Sequence, residues 1–442
     1  MAKNTQRKRV CGSIAAMRSA SPSVGRKIVT ALMNCPESVA ESSYDRFVSA
    51  VMEQWETQGT AGISARQISV ATGVPVSSIY HYFGSMEQLL DVSQKAALAS
   101  AKGWCDEQLQ QLAGFAGAPD AFPGFFAQIV DGWAHEQRRL AFAWRECQLL
   151  ALRNASFGEV SKGWDNLWAG FWSEVARIFG LGRGRIVIER VFENESFLHM
   201  IRWRRMIDRA ALDETARALG AWLSGSPTPA APWREFAREE AIRSMPSLPE
   251  RDETAARIVA VAAELIGISG VARLTHRAVA ERAGLTLGTV SHKFRTKSAL
   301  IEAAFEGIYT ANLERIHGKP SSLPAFDTRN PQAVRDSLTD MICRGASSRG
   351  GDELFVAVAR DPSLSPFGAQ LRYLRGRSSR GVLQAIVGAG REIGTVEAAL
   401  FSSFSASQIR VYANMAPDLV EARVREEWDV LLGFLMAASG AR

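Results

Sequence analysis

The chain has 442 residues, 47% of them apolar and 22% charged, with a formal charge of +6. That length allows two or three domains around an ample core, and no apolar run is long enough for a transmembrane helix. The five cysteines (Cys11, Cys35, Cys105, Cys147, Cys343) are scattered without metal-ligand spacing, which reads as reduced thiols in a cytoplasmic protein with no metal site.

Residues 1–40 read as a basic, disordered arm, for Met1 to Pro36 holds seven basic residues and no acidic one. Phosphate or minor-groove contacts are the functional reading of such an arm. No apolar core follows the basic run before Arg18, which argues against a signal peptide. From Tyr44 to Gln58 the residues Phe47, Val48, Val51, Met52 and Trp55 recur at helical spacing. Ser64 then has the position of an N-cap, with Gln67 three residues on. A short helix ends at Gly73, where the sharp turn needs positive φ. A second short helix runs from Val76 to Phe83, and Ser85 caps a third segment. The sequence thus spells helix, tight turn, helix, with Ile68, Val74, Ile79, Phe83 and Leu89 as apolar anchors and the polar side of the second helix free.

Asp91 to Leu112 reads as one long helix leaving this unit. Further helices are expected at Phe122 to Leu150, Phe157 to Phe179, Arg185 to Arg205 and Asp213 to Leu223. Ten of the eleven tryptophans precede residue 234, and Trp164, Trp168 and Trp172 share one helix face. Such a stripe is a core seam or the wall of an aromatic ligand pocket; in the second reading Trp133, Trp144, Trp164, Trp168 and Trp172 bind a small hydrophobic or aromatic effector. Ser224 to Pro232 is a Pro/Ser/Ala linker, with a short helix from Trp233 to Arg243.

Thr60 to Leu90 then recurs as Val271 to Ile301, without a gap, at an offset of 211. The offset places Ser64 on Thr275, Arg66 on Arg277, Gly73 on Gly284, His81 on His292, Phe83 on Phe294 and Leu89 on Leu300. That period is too long for a solenoid and marks a duplicated domain. The copies differ in charge. Tyr44 to Leu90 has two basic and four acidic residues, whereas Ala255 to Ile301 has seven basic and two acidic. The second copy is the better partner for phosphates. Helices follow at Glu302 to His317, Ala333 to Ser347, Glu353 to Ala359, Gly368 to Val387, Glu397 to Asn414 and Pro417 to Ala437. No strand alternation is present, so the chain is expected to be all-α.

No catalytic constellation, metal-binding cluster or cofactor motif is present among the six histidines and their neighbours. Glu193 and Glu195, flanking Asn194 on an amphipathic segment, read as a solvated face rather than an acid/base pair.

The string GVPVSSIYHYFGSMEQLL resembles the recognition-helix signature of the TetR family of bacterial transcriptional regulators, and GLTLGTVSHKFRTKSALI is similar. The second copy departs at Ser291 and Lys293, where Tyr80 and Tyr82 stand in the first. The first departs at Met86, where the family's usual lysine is supplied in the second copy by Lys297. The resemblance implies a head at 41–92 and a helical regulatory domain at 93–223, a linker at 224–250, a second head at 251–303 and a second regulatory domain at 304–442. It implies DNA contacts through Arg66, Val76, Ser77, Ser78, Tyr80, His81 and Tyr82, and through Arg277, Leu287, Gly288, Thr289, Ser291, His292, Lys293 and Lys297. It also implies a repressor released from a double-stranded operator by a small molecule. Because family members work as homodimers, this chain would be a single-chain pseudodimer, or would dimerise again to present four heads. Arg185 to Arg205 and Asp213 to Leu223 would then meet Glu397 to Asn414 and Pro417 to Ala437 in a four-helix bundle. A ligand-binding or protein-sequestering module whose heads have lost DNA binding is the alternative.

Overall fold

In the computed structural model the described residues are 42–245, 249–316, 331–343, 349–361, 364, 367–388, 390–413, 415 and 417–437; the arm expected over 1–40 lies outside them. They form twenty α-helices and no strand, as the sequence led us to expect. The first head comprises α1 (Ser43–Thr57), α2 (Ala65–Thr72) and α3 (Val76–Phe83), and α4 (Met86–Gln111) leaves it. The first helical layer is α5 (Phe122–Asp131), α6 (Arg138–Ala151), α7 (Gly158–Ile178), α8 (Arg185–His199) and α9 (Arg205–Ser224). After α10 (Pro232–Arg243) comes the second head, α11 (Glu253–Ser269), α12 (His276–Ala283) and α13 (Leu287–Lys293). The chain ends with α14 (Lys297–Ile316), α15 (Pro331–Cys343), α16 (Arg349–Arg360), α17 (Gly368–Tyr373), α18 (Arg377–Val387), α19 (Thr395–Val411) and α20 (Pro417–Ala437). From Phe47 onward the chain is one compact unit.

Two expected helices are broken. The run Phe122 to Leu150 is interrupted by a π turn over Gly132–Glu136, where the Gln137 amide reaches the Gly132 carbonyl at 2.9 Å. Such a bulge inserts a residue without disturbing the apolar content on either side, so the hydrophobic pattern does not reveal it. The run Gly368 to Val387 breaks after Tyr373. Gly376 has φ 91°, and a Cβ there would lie 2.7 Å from the backbone of Ala398. Only glycine fits that crossing.

The halves meet as the pseudodimer reading requires. Helix α8 packs along α19, and α9 and α20 complete a four-helix bundle. Its core is apolar where Phe401 and Phe404 meet Trp428. It is polar where α8 crosses α19, and here the expectation of a solvated face is overturned. Glu193, Asn194 and Glu195 are buried, at 4%, 0% and 1% exposure. Asn194 donates to the Ser403 hydroxyl (2.9 Å), which donates to Glu195 (2.6 Å). Glu193 pairs with Arg410 (2.8 Å) across the halves and with Arg145 within its own. Burial alone would push the Glu193 carboxyl up, but the two guanidinium groups hold it down at about 2. A segment that reads as one-sided is covered on both sides because the second half supplies the other wall.

Candidate nucleic-acid interface

Each head is built by local capping that the duplicated residues supply. In the first, the Ser64 hydroxyl accepts from the Gln67 amide, and Gly73 turns the chain at φ 67°. Thr72 and Ser69 bind the turn, Ser69 donating to the Val74 carbonyl at 2.6 Å. Ile68 and Ile79 are fully buried, and the Phe83 ring meets Phe47 edge-on at 6.1 Å. This anchoring leaves one side of α3 in solvent: Tyr80 and Tyr82 are 50% and 48% exposed, and Ser77, His81 and, on α2, Arg66 are exposed as well. Val76 and Ser78 are half-buried.

The second head repeats the geometry with different chemistry. Thr275 accepts from Ala278 (3.1 Å), Gly284 turns at φ 61°, and Thr286 accepts from Thr289 (3.1 Å) where the first head has Pro75. His276 adds a bond with the Phe294 carbonyl (2.6 Å) that fixes the end of α13. Leu287, Gly288, His292 and Lys293 are exposed on α13, as are Arg277 on α12 and Lys297 on α14; Thr289 and Ser291 are half-buried. Lys293 is engaged by Asp252, the N-cap of α11, which also accepts from the Ala255 amide at 2.8 Å. In both heads the exposed residues form one convex helix face beside a second helix, the geometry that enters a major groove.

The heads are joined to the helical layers through two matching turns, Thr60–Gly62 and Val271–Arg273, which touch each other. Beside the first, Glu146 accepts from the Thr60 amide (3.1 Å) and from Arg360 (2.6 Å), while Arg360 also donates to the Trp55 carbonyl (3.0 Å). Beside the second, Arg153 pairs with Glu353 at 2.7 Å, and a Cβ on Gly270 would approach both. Glu146–Arg360 and Arg153–Glu353 are exchanged by the repeat, and each links helix α6 or its end to α16. Each pair thus ties the turn beside one head to the helical layers of both halves. These four residues carried no motif in the sequence.

The sequence model described as Bacterial regulatory proteins, tetR family, matches residues 47–92 and again residues 258–304. The chain carries two tetR-type units in tandem. The two matches cover the heads, so the tetR-type domains are DNA-binding modules of a transcription regulator. No curated protein matches the chain. No helix among the described residues is long and apolar enough to cross a membrane.

The helical core behind the first head is packed with tryptophans. Trp133, Trp144, Trp164, Trp168 and Trp172 are all buried and touch one another or a shared Phe192, with Trp133 and Trp168 4.8 Å apart and Trp168 and Phe192 4.5 Å apart. The rings belong to one continuous apolar core. None of the five lines the large cavity, about 1480 Å³, which instead lies between the halves. That cavity is bounded by the end of α6, the starts of α7 and α8, the end of α19 and part of α20. It brings together segments far apart in sequence, and nothing in the linear pattern marked it.

Proposed function

We propose that the chain is a single-chain repressor whose two unlike heads read one operator together, and that a small molecule releases it. The observation that carries this reading is the pairing of two solvent-facing recognition helices through one bundle inside one chain. Arg66, Val76, Ser77, Ser78, Tyr80, His81 and Tyr82 are the base and phosphate contacts of the first head. Arg277, Leu287, Gly288, Thr289, Ser291, His292, Lys293 and Lys297 are those of the second. Release follows if an effector binds better to the conformation in which the heads are wrongly spaced.

The test is to sequence DNA fragments retained by the purified protein. The expected operator is an imperfect or asymmetric pair of half-sites, because VSSIYHYF and LGTVSHKF present different edges to the groove. Identical heads read palindromes, since the symmetry of the protein is mirrored in the site. Recovery of a perfect palindrome as the tightest site would contradict joint reading by both heads.

A finer prediction concerns Lys293. Asp252→Asn keeps an oxygen to cap α11 but removes the charge that holds the lysine. Freed for a phosphate, Lys293 should strengthen operator binding severalfold at low salt, and steepen its salt dependence by up to about one unit. An unchanged salt slope in a filter-binding or fluorescence titration would show that Lys293 stays away from the DNA.

A further inference from the structure

Helix α10 fills one groove between the halves. It packs Ala237 and Ala241 against Ile207 and Ala211 of α9 and against Ala369 and Tyr373 of the second half. Glu214 accepts from the Trp233 and Arg234 amides (2.9 and 2.8 Å) at its N-terminus, and Gln370 donates to the Ala241 carbonyl (3.0 Å) at the other end. The repeat shows where the counterpart groove lies. Phe157–Gly158 matches Phe367–Gly368, which pairs the start of α7 with α17, and ETARALGAWL (214–223) matches EWDVLLGFLM (427–436), which pairs α9 with α20. The start of α7 and the face of α20 bound the large cavity. The cavity is therefore the twin of the α10 groove.

Its deep charges are mostly matched. Arg190 pairs with Glu427 (2.7 Å), Arg185 with Glu189 (2.6 Å), and Arg410 with Glu193. Among the described residues, four charged groups on it have neither hydrogen bond nor ion pair: Asp165 in the wall, and Arg183, Arg423 and Glu426 in exposed positions. The Nε of Arg145, a residue 1% exposed that also lines the cavity, has no acceptor. A buried polar group without a partner is costly, so Arg145 Nε and the Asp165 carboxyl are where a bound molecule would supply what is missing, while the exposed arginines add charge at the rim. We propose that the cavity binds one small zwitterion per chain, of the amino-acid or short-peptide class, with its ammonium group on Asp165 and its carboxylate toward the unpaired arginine groups. In the regulator proposed above, on which this part rests, that molecule is the effector, and its charge distinguishes it from a hydrophobic ligand of the tryptophan core.

The test is calorimetric titration of the full chain, without DNA, with each of the twenty common amino acids and their glycyl dipeptides. At least one should bind with one site per chain, and its deaminated and decarboxylated analogues should bind at least tenfold more weakly. Asp165→Asn should weaken that binding about tenfold. Burial raises the Asp165 carboxyl to about 7, against Arg190 and with Glu189 and Glu193 of α8 facing it. Cys147 of α6 and Lys162 on its own helix are its other charged or titratable neighbours, with Arg410, Tyr412 and Glu427 across the cavity. Binding by the wild type should therefore tighten up to about tenfold from pH 6 to pH 8, as Asp165 ionises, and the Asn variant should lose that rise. Ala169→Trp, which fills the wall, should abolish binding while the thermal transition is kept. No binding by any probe, equal binding by the deaminated analogue, or two equal sites per chain would overturn the proposal. The titration contains no DNA, so failure of the heads to bind an operator would leave its result standing. Binding without operator release would refute the effector role alone.

Discussion

Glu193→Ala is expected to cost about 3–5 kcal/mol, the range seen when one partner of a buried ion pair is removed. The loss would leave Arg145 and Arg410 close together without the carboxylate that lies between them. Domains of ordinary stability have roughly 5–15 kcal/mol in all, so the variant should be near unfolding at physiological temperature. Denaturant titration measures it, and a cost under about 1 kcal/mol would mean that water reaches the crossing of α8 and α19. The same pair makes an acid limb. Glu193 and Glu195 are both held at about 2 in the folded chain, Glu195 by a hydrogen bond from His199 and by Arg234 against the effect of burial. A depressed carboxyl contributes stability that is present above its unfolded value, about 4.3, and lost as the pH falls through the folded one. His199, lowered to about 4 by burial, starts its own loss earlier, from about 6.5 downward. Asp165 and Glu353, raised to about 7 by burial, act in the opposite sense and only between about 4 and 7. Below pH 4 the slope should therefore come mainly from Glu193 and Glu195, and Glu193→Gln should flatten it.

The double substitution Lys293→Ala, Lys297→Ala should weaken operator binding about tenfold near 0.15 M salt and lower the slope of log K against log salt by about one unit, mostly through Lys297 because Asp252 holds Lys293. Both lysines lie at exposed positions on the second head, where basic residues outnumber acidic ones seven to two. Tyr80→Phe in the first head should change affinity less and leave the slope alone, since it removes no charge. Met86→Lys should add about one unit. If Met86→Lys and Lys297→Ala both left binding unchanged, that position would not reach the phosphates.

The heads were legible in the sequence because everything that shapes them is local. Ser64, Gly73 and Ser85, with Thr275, Gly284 and Thr296, mark caps and turns within a few residues, and the anchors Ile68 and Ile79 repeat as Val279 and Val290. The crossing of α8 and α19 was not legible. The segment VIERVFENES looks one-sided until a partner 200 residues away covers its polar side, and only the fold says that Ser403 and Arg410 will be there. The stripe Trp164, Trp168, Trp172 has the same spacing whether it lines a pocket or fills a core, and the decision rests with Trp133, Trp144 and Phe192 from other helices. Helix α10 was read as part of a spacer. Its alanines, Ala237 and Ala241, are a docking face that is small enough for close packing, a role that spacing alone does not distinguish from helix propensity.

The covalent tie through α10 has a consequence for how such a protein responds to scarcity. When a regulator assembles from two separate chains, its active form falls roughly with the square of chain concentration once dilution splits the pair. Here the second half is always present at the effective concentration set by its own tether, so assembly is independent of copy number. Operator occupancy should fall in simple proportion as the protein is diluted. Nor can either half be traded for that of a related regulator in the same cell, which leaves the two recognition helices free to diverge without producing mixed pairs.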